Sequence, residues 1–204
     1  MNKMVKNVLV LTVITVIAGL LLGFVYDITK EPIQAQQEKI KQEAYLKVFP
    51  GAASFEEDES LHVSNSDAIL TDAGYAEEII DEALVAKDGA GQALGYVFTV
   101  TTMEGYGGAI TLSMGVTNEG TLNGIEILSI SETAGLGMKA DTEEFKNQFA
   151  GKTVAQFSYS KTGAGTEYEI DALSGATITT NAMVNAVNAG LVYFQAVTGG
   201  VTYE

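Results

Sequence analysis

The chain has no cysteine, no tryptophan and no arginine, and only one histidine and two prolines in 204 residues. Without cysteine there are no disulfides, thiolate zinc sites, iron–sulfur ligands or cysteine nucleophiles. The lone His62 cannot build a histidine-based triad or a multi-histidine metal site. It sits in an acidic, weakly patterned stretch and reads as a solvated side chain. Positive charge is scarce. All 11 basic residues are lysines, and two of them, Lys3 and Lys6, precede the first apolar run. The remainder carries nine lysines against 26 acids, a formal charge of −17. Such a surface is repelled by phosphate backbones and anionic lipid, which excludes nucleic acid as a partner. Chemistry has to come from carboxylates, hydroxyls, tyrosines, backbone amides or a borrowed cofactor.

Between Lys6 and Asp27 there is no charge at all, and the run NVLVLTVITVIAGLLLGFVY is 20 residues long. A helix of that length spans the roughly 30 Å hydrocarbon layer of a bilayer. The run is too long for the core of a signal peptide, and GFVYDITKEP offers no small-x-small cleavage site, so an uncleaved anchor is expected. Lys3 and Lys6 set its N-terminus in the cytoplasm and everything after Asp27 on the outer side of the inner membrane. Gly19 and Gly23 form a G-x-x-x-G on which another transmembrane helix can pack. The expected organisation is a cytoplasmic tip and anchor over 1–26, a stalk helix over 27–50, an acidic surface loop over 51–75 and a domain over 76–204. Thr29 is expected to cap the stalk, Pro32 to lie in its first turn, and Ile33, Ile40, Ala44 and Val48 to form its apolar side.

From residue 76 onward the pattern changes to strands. DEALVAKD and ALGYVFTVT flank GAGQ as a hairpin. AITLSMGVT alternates, with Ile110, Leu112, Met114 and Val116 on one side and Thr111, Ser113 and Thr117 on the other. LNGIEILSIS reads as a further strand, and DTEEFKNQFAG as a short helix capped by Asp141 and stopped by Gly151. TVAQFSYS and TEYEI are short strands around KTGAG. A last helix runs from about Thr180 to Val197, with Met183, Val187, Leu191 and Phe194 on its apolar face and Gly199-Gly200 at its end. The order predicts an α+β domain built on an antiparallel sheet with packed helices.

Three segments are too glycine-dense and polar for plain connectors: GYGGA at 105–109, SETAGLGMK at 131–139 and DALSGATITT at 171–180. Each adjoins a strand, so they can gather at one end of the sheet, where backbone amides approach a ligand closely. The third opens a helix that Thr179 or Thr180 can cap, whose first amides are unpaired and whose dipole favours an anion. A threonine there can bind a phosphate or become esterified to one. Asp171 can hold a cation or orient the loop. Neither common phosphate motif, G-x-G-x-x-G or G-x-x-x-x-G-K-[ST], is present.

DALSGAT at 171–177 resembles the D-x-x-[ST]-G-A-T sequence at which a flavin transferase attaches FMN through a phosphoester on the last threonine. SETAGLG is similar to the S/H-x-E-T-x-G-L-G stretch of the same FMN-binding domain, and GYGGAI to its Gly-Tyr-x-Gly-x-Ile segment, in the same order. Ala134 departs from the family, which more often has proline there. With the N-terminal anchor, the resemblance covers essentially the whole chain. It points to the RnfG family of Rnf electron-transport complexes. The nearest alternative is the NqrC family of the sodium-pumping NADH:quinone oxidoreductase, and a non-redox, membrane-tethered binding module is an alternative of another class. The resemblance implies covalent FMN on Thr177, with Ser174, Gly175, Ala176, Asp171, Thr179 and Thr180 around its phosphate. It sets Glu132, Thr133, Gly135, Leu136, Gly137, Met138 and Tyr106 beside the flavin. It also implies electron relay without a catalytic acid or base, no metal site, and partners among the other membrane subunits of an ion-translocating complex.

Overall fold

The computed structural model describes residues 2–199; Gly200, the second glycine of the expected helix stop, lies outside them. The chain divides into two units, Met1–Ile40 and Lys41–Glu204. One helix, α1 (Lys3–Val48), runs from the first into the second. Two helices were expected here, and there is one. Thr29, the expected cap, turns its hydroxyl back to the carbonyls of Val25 at 2.9 Å and Tyr26 at 3.3 Å. Pro32 lies inside the helix and not at its start. Within the apolar run, Thr12 and Thr15 donate in the same way to Val8 and Leu11. The threonine hydroxyls of this segment are thus satisfied internally, as hydrocarbon requires. Among the described residues α1 is the one helix long and apolar enough to cross a membrane.

The second unit is built on a five-stranded antiparallel meander: β1 (Ser54–Glu57), β2 (Glu78–Lys87), β3 (Ala93–Thr102), β4 (Ile110–Thr117) and β5 (Leu122–Ser129), adjacent in chain order. The expected acidic loop at 51–75 instead contains β1, two single 3₁₀ turns and a short helix, α2 (Ser66–Asp72). Leu61 and Leu70 anchor this segment in the core, and the Tyr193 hydroxyl donates to the carbonyl of Leu61. Its charges hid its few apolar anchors.

Ile110, Leu112, Met114 and Val116 are fully buried on the face that packs against the last helix, α4 (Thr177–Thr198). The opposite face is also covered. Tyr45 and Val48 at the end of α1, with Phe49, pack on Leu84, Ala86 and Val97. The Tyr45 hydroxyl binds Glu82 and lies 3.0 Å from Thr99 Oγ1, and Lys41 pairs with Glu82 at 2.7 Å. Glu126 receives Lys47 at 2.5 Å and Lys146 at 2.8 Å. Burial alone would raise the Glu126 carboxyl, but these two lysines hold it below its usual range.

The helix expected over 141–151 is a single turn, α3 (Glu143–Lys146), capped by Thr142 and not Asp141. The two short strands, β6 (Ser158–Ser160) and β7 (Glu169–Asp171), pair in parallel as a separate ribbon. Helix α4 begins three residues earlier than expected and ends at Gly199, which takes the left-handed conformation.

One buried carboxylate lacks compensation. Glu78 is 3% exposed, and its Oε2 has no hydrogen-bond partner. Burial pushes its pKa from 4.5 to about 7. The Thr102 hydroxyl opposes the rise, while Glu104 and Glu77 add to it. Below pH 4.5 the group is protonated in folded and unfolded chains alike. Between 4.5 and about 7 the folded chain holds the extra proton, so stability falls as pH rises through this window. The loss is on the order of 3 kcal/mol. Melting temperatures measured from about pH 5 to 8 should therefore decline, and Glu78→Gln should flatten that decline. An unchanged slope in the variant would refute the assignment.

Candidate functional site

The meander sets three chain segments side by side at one end of the sheet. β3 ends at Thr102 opposite Ile110 of β4, and Thr111 pairs with Ser129 at the end of β5. The loops 103–109 and 130–136 therefore leave from neighbouring strand ends. The segment 172–176 reaches the same place because it feeds α4. Together they form a cleft of ≈ 570 Å³, lined by Tyr106, Glu132, Thr133, Leu136, Gly137, Gly175, Ala176, Thr177, Ile178 and Thr179.

The loop entering α4 is fixed by Thr180. Its hydroxyl accepts from Leu173 N–H at 3.0 Å and donates to the carbonyl of Ala176 at 3.0 Å. Thr180 is thus a buried staple, neither the helix cap nor a cleft residue as expected. The N-cap position falls on Ala176, with no side chain capping the helix and no acid in its first turn. The amides of Thr177, Ile178 and Thr179 lie in the first turn, where a helix supplies no partner. They meet the half-buried Thr177 at the cleft wall. This terminus suits an anion, because the unpaired amides and the helix dipole both favour negative charge.

The 130–136 loop is wound by hydrogen bonds from the amides of Leu136 and Met138 to the carbonyl of Thr133, at 3.1 and 3.2 Å. Glu132 follows β5 and turns inward, with 9% of its surface exposed. Its Oε1 accepts from Gly107 N–H at 3.2 Å, which joins this loop to 103–109. Gly137 closes over it. A Cβ there would lie 2.5 Å from Glu132 Oε2 and 2.6 Å from Thr179 Oγ1. The Thr179 hydroxyl is buried with no hydrogen-bond partner. Loop 103–109 is also tied to α4 by Glu104, whose Oε2 accepts from Asn185 at 2.6 Å and Asn181 at 3.3 Å.

Nine of the fourteen candidate residues line the cleft. Ser174, Gly135, Met138, Asp171 and Thr180 do not. The Asp171 carboxylate instead accepts from Ala164 N–H and holds the KTGAG loop, and its own amide donates to Gln148 at 2.6 Å. Tyr106 is 70% exposed at the rim. Sequence reading missed Ile178, which is 54% exposed. Its signal was present: it lies off the stripe marked by Met183, Val187 and Leu191, so an apolar residue there has no core to enter. Glu104, Asn181 and Asn185 were also missed, and no local pattern marks them.

The solved structure of the NqrC-type subunit of Na⁺-translocating NADH-quinone reductase from Parabacteroides distasonis has the same fold, at 19% identity and TM-score 0.50, over 83% of this chain and 97% of that one. The FMN-binding domain family matches residues 105–192, and the RnfG N-terminal region matches residues 1–48. The G-type subunit of an ion-translocating oxidoreductase complex from Methanosarcina acetivorans is 31% identical over 97% of this chain and 98% of its own length. Its counterpart in the Na⁺-translocating ferredoxin:NAD⁺ oxidoreductase complex of Acetobacterium woodii is 29% identical over 92% and 89%. The chain belongs to this family, the RnfG-type subunits of ion-translocating oxidoreductase complexes.

The packing around Gly137 gives a direct test. Gly137→Ala must displace Glu132 or Thr179 and should cost about 1–3 kcal/mol in denaturant unfolding, as overpacked sites do. Gly124→Ala, where a Cβ would meet nothing nearer than 3.9 Å, is the control and should cost clearly less. Equal losses would refute this reading of the cleft floor.

Proposed function

We propose that this chain is the electron-transfer subunit of an ion-translocating ferredoxin:NAD⁺ oxidoreductase, carrying FMN as a phosphoester on Thr177. One observation carries this: the first turn of α4 is uncapped and free of acids, and Thr177 lies at that turn on the wall of the cleft. A phosphate esterified to Thr177 Oγ1 meets the unpaired first-turn amides, which supply the hydrogen bonds that a capping side chain would otherwise give. The apolar surfaces of Tyr106, Leu136 and Ile178 at the mouth suit a flat aromatic ring system. Bound there, a flavin accepts and releases electrons one at a time. The chain's task is to hold it, orient it and limit its contact with water.

The relatives support the setting. The two G-type relatives align with 92–97% of this chain, whereas the likeness to the NqrC-type subunit rests on fold at 19% identity. We read α1 as a single-pass anchor in the cell membrane, with Lys3 and Lys6 on the cytoplasmic side and the flavin domain on the other. A flavin transferase would esterify Thr177 during maturation, and the other membrane subunits of the complex would supply and take the electrons. Covalent attachment suits that side of the membrane, where a dissociated cofactor is lost.

Chain purified from its native host should be yellow, fluoresce as a denatured band, and exceed its sequence mass by FMN less one water, with the added mass on the peptide holding Thr177. Thr177→Ala should remove colour and mass together while the domain stays folded by circular dichroism. A native sample with unmodified Thr177 and no retained colour would overturn the proposal.

A further inference from the structure

Of the residues that line the cleft, Glu132 is the one among Asp, Glu, Lys and Arg. No lysine lines it, and the chain has no arginine. Among the described residues no lysine pairs with Glu132, and its hydrogen bond comes from the neutral Gly107 amide. The carboxylate is also confined. A side chain at Gly105 would press on Oε1 from 3.1 Å, one at Gly137 would lie 2.5 Å from Oε2, and one at Gly107 would run into the Ser131 carbonyl. Three bare backbones therefore close around one acid, and the buried Thr179 hydroxyl fills the space beside it. A charge held this way is poorly screened by water or salt.

From this arrangement we infer that Glu132 sets the reduction potential of the cofactor in the cleft, holding it low. The inference rests on the flavin reading above. An electron arriving from a one-electron carrier of the complex adds one negative charge to the ring unless a proton comes with it. A fixed carboxylate beside the ring, with no cation to offset it, opposes that addition and favours passing the electron on. Glu132 acts here through its field and its fixed position.

The test is a redox titration of full-length, flavin-loaded chain, following visible absorbance. Glu132→Gln keeps an acceptor for the Gly107 amide and removes the charge. It should favour the reduced form at least tenfold for the first electron, an upward shift of about 59 mV. The shift should persist in about 1 M salt, where surface charges are screened within about 3 Å. Glu132→Asp keeps the charge and should stay within a third of that shift. Glu144→Gln, at an exposed position, controls for net charge and should leave the midpoint unchanged. Should Glu132→Gln fail to fold, Thr133→Lys at the exposed rim should raise the midpoint by placing a cation at the same cleft. An unchanged midpoint in loaded Glu132→Gln, or a shift that vanishes in high salt, overturns the inference and leaves the flavin assignment standing. Unmodified Thr177 in the native chain sinks both.

Discussion

The site depends on the connectivity of the sheet. In an antiparallel meander with neighbours in chain order, alternate connections fall on alternate ends. The β3–β4 loop and the exit of β5 must therefore share one end, whatever their sequences. That end receives α4, because α4 lies along β3 and β4 with its apolar face on Leu112 and Met114. Strand pairing thus brings the two loops together, and the packing of α4 on the sheet adds the helix start. The glycines at 105, 107 and 137 then let the backbones approach closely enough to enclose a single side chain. The sheet supplies the proximity, and the glycines turn it into a cleft.

The sheet is buried on both faces. Tyr45, Val48 and Phe49 cover the side that α4 leaves open, and Lys47 and Lys146 join the end of α1 and α3 to β5 through Glu126. Exposed ion pairs contribute little. Lys146, however, is nearly buried, and three carboxylates compensate its charge: Glu126 at 2.8 Å, Glu143 at 2.9 Å and Asp141 at 3.7 Å. The last turns of α1 are in this sense part of the domain core, although the sequence continues without interruption from the apolar anchor.

Much of this was legible before the structure. The hairpin, the clean alternation of β4, the α+β class and the amphipathic last helix follow from period and turn chemistry. The three glycine-rich segments were legible as a group, because glycine density beside strand ends is rare in plain connectors. What escaped was long-range. Thr29 and Pro32 together look like a helix start in sequence, yet α1 continues through both, with Thr29 bonded to carbonyls behind it. The order within 51–75 depends on Leu61 and Leu70 finding the core, which their acidic neighbours conceal. The roles of Thr179 and Thr180 were misread for a similar reason. Both hydroxyls look like caps in sequence, but α4 starts earlier, at Thr177, so both lie inside the helix. There Thr180 staples the loop and Thr179 is left without a partner.

These displaced hydroxyls bear on why a ligand belongs here. A side-chain cap is worth about 1 kcal/mol to a helix, and DALSGATITT contains four hydroxyls that could supply one. None does. Thr180 is committed to Leu173 and Ala176, and Thr179 is enclosed by Gly137 and Glu132. Ser174 lies short of the cap position and Thr177 past it. An uncapped terminus flanked by so many unused caps is an arrangement that local stability alone does not favour. It becomes favourable when an external acceptor meets the free amides, and a phosphate on Thr177 Oγ1 would present its acceptors at that turn. The cleft wall carries no lysine, and Glu132 is the one acidic side chain on it. Beyond its ester bond to Thr177, the anion would then meet backbone dipoles and no lysine, and the ring beside it would lie in a negative field.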